Sequence, residues 1–115
     1  MNIPGVFRNA ETIREVPTGT VIFEAGSSGN EMFGIVEGEV ELRMPNGAVY
    51  KLGPDETFGE MAIVDSSPRS ATAIALSDAK LAVISQRIFL FLVHETPMFA
   101  LQVMSSMAAR LRALD

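Results

Sequence analysis

Between Val16 and Ser85 the chain is cut into short apolar runs, each closed by a turn signal, and that rhythm limits the folds open to it. Residues 20–24, Thr-Val-Ile-Phe-Glu, are β-branched and aromatic, and residues 32–36 form a second such run. Residues 40–44 alternate apolar and polar side chains, the period of a half-buried strand. Pro45-Asn46-Gly47 then carries an Asn-Gly pair, a strong hairpin signal, so residues 48–52 are expected to pair back. Residues 70–75 and 81–84 read as two further strands, with a turn over 77–80. Gly19, Gly26, Gly38 and Gly53 fall at the corners, where a bend or a positive φ is required. Short strands at this spacing predict a mainly β fold, an antiparallel roll or barrel with flanking helices.

At Ser85 the period changes. Ser85 is suited to cap a helix from Gln86 to about His94, and Thr96-Pro97 starts a second, with proline at its first position. Phe99, Val103, Met107 and Leu111 recur every fourth residue, joined by Leu101, Met104 and Leu114, which predicts an amphipathic helix with a broad apolar face. Arg110 and Arg112 sit in its last turns, where cations suit the helix dipole. Near the N-terminus, Pro4-Gly5-Val6-Phe7 is read as a helical turn packing Val6 and Phe7 onto the rest.

One length of chain between the strands carries chemistry. Residues 58–73 open on Phe58-Gly59-Glu60, continue through the apolar turn Met61-Ala62-Ile63-Val64, and close on Pro68-Arg69-Ser70-Ala71-Thr72. A glycine before a helix start gathers backbone N–H groups that attract anions. Arg69, held by the ring of Pro68, offers a planar fork matched to phosphate oxygens, and Ser70 adds a hydroxyl donor. Glu60, acceptor-only when ionised, suits sugar hydroxyls instead. Singly, an Arg after a Pro is a solvated loop residue and a Glu after a Gly is a helix-start charge; in this order and spacing they make a phosphate clamp beside a ribose acceptor.

The stretch resembles the phosphate-binding cassette of cyclic nucleotide-binding domains, which reads Phe-Gly-Glu-apolar-Ala-apolar, a variable segment, then Pro-Arg-x-Ala-Thr. The resemblance implies a β-roll of jelly-roll type. It implies a site made of Phe58, Gly59, Glu60, Met61, Ala62, Pro68, Arg69, Ser70 and Ala71. Glu60 would take the ribose 2′-hydroxyl, Arg69 and Ser70 the cyclic phosphate, and the backbones of Gly59 and Ala71 would complete the cradle. The ligand implied is cAMP, with cGMP as the alternative, and no further cofactor. Residues 104–114 resemble the start of the long helix of the catabolite activator branch, which continues there into a dimer coiled coil and a DNA-reading module that this chain lacks. In that branch a hydroxyl residue on the helix reads adenine, and Leu114 stands at the aligned position; Arg110 is either a base contact that stacks over the ring or a solvated side chain.

Composition narrows the alternatives. The 115 residues suit one domain, 1–115, and 48% hydrophobic content suffices for a core. Without cysteine there is no disulfide or thiolate site. No basic, apolar leader opens the chain and no apolar run reaches the ~20 residues of a membrane span, so a cytoplasmic location is expected. A net charge of −5 argues against a nucleic-acid face while permitting one small anion. A lone histidine, His94, cannot furnish a cupin-type metal site or a catalytic triad. Asp55 and Glu56 are assigned to a turn, not to acid–base work. The expectation is a non-enzymatic sensor that relays nucleotide binding through its C-terminal helix, to a weak homodimer or an effector protein. The rivals are a nucleotide-free interaction module of the same fold, and the sensor part of a DNA-binding regulator without its output domain.

Overall fold

The computed structural model describes residues 4–112, so Leu114 lies outside the described residues. Eight strands come first to last as β1 (Ile13–Val16), β2 (Val21–Phe23), β3 (Glu31–Glu37), β4 (Val40–Arg43), β5 (Val49–Leu52), β6 (Thr57–Phe58), β7 (Thr72–Ala75) and β8 (Ala79–Ser85). One helical turn, α1 (Met61–Val64), interrupts them, and α2 (Gln86–Glu95) and α3 (Met98–Arg112) follow. The strands form two four-stranded antiparallel sheets, ordered β1-β8-β3-β6 and β2-β7-β4-β5. This is the roll expected from the strand rhythm.

Period-two alternation sorts the long strands β3 and β8 between two cores. Phe33, Ile35, Ala79 and Leu81, joined by Phe58 of the same sheet, face the opposite sheet, where Val40, Leu42 and Ala73 meet them. Met32, Ala82 and Ile84 point the other way, onto Phe7, Ile63, Phe99 and Val103. Phe7 is 2% exposed, and a Cβ on Gly34 would stand 2.6 Å from its ring, so the glycine allows the N-terminal turn to lie flat on β3. The second core seats α2 and α3 against the roll, beside the cassette.

Several local expectations are revised. β1 and β6 lacked a readable pattern: β1 buries only Val16, and β6 has two residues, set by pairing of Phe58 with Phe33 and Thr57 with Gly34. β8 begins inside the expected turn, because Ala79 and Lys80 pair with Val16 and Glu15. At residues 45–47 the turn has three residues: Gly47 donates to the Met44 carbonyl at 2.9 Å, Met44 to that of Ala48 at 2.8 Å, and Gly47 alone takes a positive φ, 92°. A two-residue Asn-Gly turn needs positive φ at both positions. Gly53 has no positive φ; Asp55, at φ 70°, makes that bend. Ser85 caps α2 as expected, its side chain accepting from the Ile88 N–H at 3.2 Å.

Candidate functional site

Gly59, at φ 81°, turns the chain from β6 into α1, and residues 65–71 return it to β7. Between these legs, the sheet β2-β7-β4-β5 and the end of α3 lies a cavity of ≈ 350 Å³. Of the residues expected at the site, Gly59, Glu60, Met61, Ala62, Arg69, Ser70 and Ala71 line it. Phe58 and Pro68 do not. Phe58 is fully buried between the sheets, its ring stacked 5.3 Å from Phe33, and Pro68 is exposed. α1 offers fewer donors than its sequence suggested, because the N–H groups of Ala62 and Ile63 close back onto the carbonyls of Gly59 and Glu60.

Arg69 is no solvated loop residue: it is 7% exposed. Its Nη1 donates to the carbonyls of Glu31 (2.8 Å) and Gly59 (3.2 Å), and its guanidinium carbon lies 4.2 Å from the centre of the Phe23 ring. Nε is buried with no hydrogen-bond partner among the described residues. Two glycines make room. A Cβ on Gly29 would stand 2.4 Å from Nη2, and one on Gly59 2.8 Å from Nη1. Burial lowers the Arg69 pKa, opposed by the charge of Glu31, yet an arginine stays protonated through such a shift. Among the described residues no carboxylate forms an ion pair with it. It is a buried cation held by carbonyl oxygens, and buried charges of this kind are usually paired.

Glu60 is the opposite case. It stands at the N-terminus of α1 without capping it, so its carboxylate is free to turn toward α3. Only 3% exposed, it accepts from Arg110 Nη2 at 2.9 Å (Oε1) and 2.7 Å (Oε2), and from the Thr57 hydroxyl at 3.2 Å. Arg110, the candidate base contact, is thus engaged with the candidate ribose acceptor. The rest of the lining, mostly apolar, was not expected at the site: Phe23, Leu42, Met44 and Tyr50, with Met107 and Leu111 read only as part of the apolar face of the last helix. The alternation over residues 40–44 contained Leu42 of β4 and Met44 just after it, and the register that sets Tyr50 opposite Leu42 completes that wall. Gly29 could not be found from the sequence, since its role is the space it leaves.

His94 is exposed, and no cluster of metal-ligating side chains occurs among the described residues. No single helix among them is long and apolar enough to cross a membrane.

The family model for the cyclic nucleotide-binding domain matches residues 13–96. A cyclic nucleotide-gated potassium channel of Mesorhizobium japonicum is 40% identical over 87 residues, 76% of this chain and 24% of the channel. The cyclic AMP receptor protein of Thermus thermophilus is 35% identical over 107 residues, 89% of this chain and 50% of the receptor. The solved catabolite activator protein of that organism superposes with a TM-score of 0.74 at 33% identity, covering 90% of this chain and 51% of that one. A structure from work on a cyclic-GMP-dependent signalling pathway in bacterial phytopathogenesis gives 0.73 at 30% identity, covering 88% and 84%. The chain therefore spans half or less of the two curated relatives.

Proposed function

The chain belongs to the cyclic nucleotide-binding domain family, and from that premise we propose that it acts as one regulatory domain whose ligand is a single cyclic nucleoside monophosphate, cAMP ahead of cGMP. The observation that carries this is the charge accounting in the cavity. Glu60 is already balanced by Arg110, whereas Arg69 is a buried cation that, among the described residues, has no carboxylate ion pair and no acceptor for its Nε. The missing partner is one negative charge. A cyclic phosphodiester has one, whereas a linear phosphate monoester carries about 1.5 to 2 at neutral pH. The volume of ≈ 350 Å³ lies at the small end of ligand pockets, about 300–1,000 Å³, and suits one nucleotide. Relatives named for cyclic AMP and for cyclic GMP lie at similar distance, in line with a site that reads sugar and phosphate more than base.

Arg69 and Ser70 take the phosphate, Glu60 the ribose 2′-hydroxyl, and Met44, Tyr50, Met107 and Leu111 enclose the base. The domain carries no catalysis of its own and works in the cytoplasm. Its output is a shift in the population of α2 and α3 arrangements, driven by the ligand's preference for one of them. The route is short: Ile63 of α1 packs in one core with Ile88 and Phe89 of α2, and Gln86 Nε2 donates to the Ile63 carbonyl at 3.0 Å.

Calorimetric titration with cAMP and with cGMP tests the reading. The chain should bind at least one, and Arg69→Ala should weaken binding about ten-fold or more with the fold retained, the loss of a charge-assisted fork worth ~1.5–3 kcal/mol. Absence of binding to either nucleotide would leave a nucleotide-free interaction module. Unchanged affinity in Arg69→Ala would remove Arg69 from the site.

A further inference from the structure

We propose that Met44, Met61 and Met107 make the cavity an oxidant-sensitive site: conversion of their thioethers to sulfoxides by hydrogen peroxide lowers nucleotide affinity, so the domain reads its ligand best while these sulfurs are reduced. The proposal rests on the nucleotide-site reading above. The chain has seven methionines and no cysteine, so thioethers are its only oxidisable sulfur. Three of them meet at one cavity from separate parts of the chain: Met44 follows β4, Met61 opens α1 and Met107 lies on α3. No sequence spacing predicts that meeting. The cavity is open to solvent beside them, with Met61 37% exposed and Leu111 at the rim 65% exposed. A small neutral oxidant therefore reaches the same wall that encloses the base.

The step is an oxygen transfer. A sulfur lone pair attacks one peroxide oxygen, the S–O bond forms and the O–O bond breaks; the proton passes to the departing oxygen, which leaves as water. Sulfur is oxidised by two electrons and the peroxide is reduced by two. A flexible apolar side chain becomes a polar one with a strong acceptor oxygen. In the open cavity water solvates that oxygen. A base laid against the wall strips the water away, and Phe23, Leu42 and Leu111 return no donor, so closure over the ligand leaves a polar group unsatisfied. Exposure grades the other methionines and supplies internal controls. Met32 is 0% exposed in the helix-side core. Met98 and Met104 of α3, 46% and 54% exposed, lie outside the cavity lining. A bound nucleotide covers the three cavity thioethers and leaves that outer pair open.

Hydrogen peroxide treatment of the full chain, ligand-free and saturated with cAMP, tests this, with sulfoxide at each methionine followed by peptide mass mapping. In the ligand-free chain Met44, Met61 and Met107 should oxidise about ten-fold or more faster than Met32. Bound cAMP should slow those three about five-fold or more and leave Met98 and Met104 unchanged. Calorimetry on the oxidised chain should find cAMP affinity about five-fold or more lower, and methionine sulfoxide reductases should restore it. The triple variant Met44→Leu, Met61→Leu, Met107→Leu, whatever its starting affinity, should show the same affinity before and after peroxide. Met98→Leu with Met104→Leu should keep the full loss. Equal oxidation of the cavity methionines and Met32, an affinity that peroxide does not alter, or an equal loss in the triple variant would overturn the proposal. Failure of the untreated chain to bind either nucleotide would instead overturn the functional reading and the affinity half of this proposal, while the ligand-free oxidation pattern still decides whether the cavity thioethers are the reactive set.

Discussion

Arg69 shows how a charged residue comes to lie inside a small β-roll. Its guanidinium occupies space that any side chain on Gly29 would take, and it stacks on Phe23. Two glycine substitutions separate space from conformation. Gly29→Ala puts a Cβ 2.4 Å from Nη2 at a position without positive φ, so the expected effect is a displaced guanidinium, with nucleotide affinity falling about ten-fold. Gly26→Ala has nothing within 4 Å but sits at φ 86°, so it should cost ~1–2 kcal/mol of stability and leave affinity unchanged. Thermal melts paired with calorimetry read both, and equal affinity loss in the two variants would count against the steric account.

Among the elements, the junction of β8 and α2 is the one most fully prescribed by local sequence. Ser85 is in extended conformation, and its side chain accepts from Ile88 N–H as an N-cap should. Ser85→Ala should lower stability by ~1 kcal/mol in denaturant unfolding, with the slope of the transition unchanged. The effect on nucleotide affinity should be small. Gln86, the next residue, ties α2 to α1 through the Ile63 carbonyl, and that bond survives loss of the cap. α1 itself is a single turn with no intrinsic stability, held by Ile63 in the helix-side core. It is therefore the element freest to follow a ligand.

On the scale of the whole molecule, two properties follow from what the roll leaves uncovered. The cavity wall made by Met44, Tyr50, Met107 and Leu111 is mostly apolar, and if the base lies there as proposed, few groups beyond Arg110, already engaged, could tell adenine from guanine. Affinities for cAMP and cGMP should differ by about ten-fold or less, roughly one hydrogen bond's worth, and titration of both measures it. A far larger ratio would reveal a base-reading contact, with the Tyr50 hydroxyl the first to test. Leu101 and Met104 of α3 are each close to half exposed or more, and Leu111 at the cavity rim is 65% exposed. Such a face favours contact with a second copy, and weak dimerisation is expected in sedimentation, abolished by Leu101→Glu with Met104→Glu. A monomer at high concentration would exclude that contact.

The roll, the two helices and the cassette were legible because each depends on local order: alternation in strands, glycine at bends, a cap before α2, and a cassette whose residues are contiguous. The cassette residues from Gly59 to Ala62 and from Arg69 to Ala71 line one cavity, because the two legs that carry them are close in sequence. What the sequence could not show were relations between distant residues. β6 exists because Phe58 and Thr57 meet β3, and Gly29 matters because Arg69 fills the space beside it. Arg110 reads locally as a cation at a helix end; only the packing of α3 across the cassette brings it to Glu60, 50 residues away in the chain. Gln102, polar and flanked by apolar neighbours, is buried because the Asp55 carbonyl waits for it. Local pattern specifies which face of an element is apolar, but the partner of a buried polar group is decided by which elements pack together, and that is settled only when the whole chain has folded.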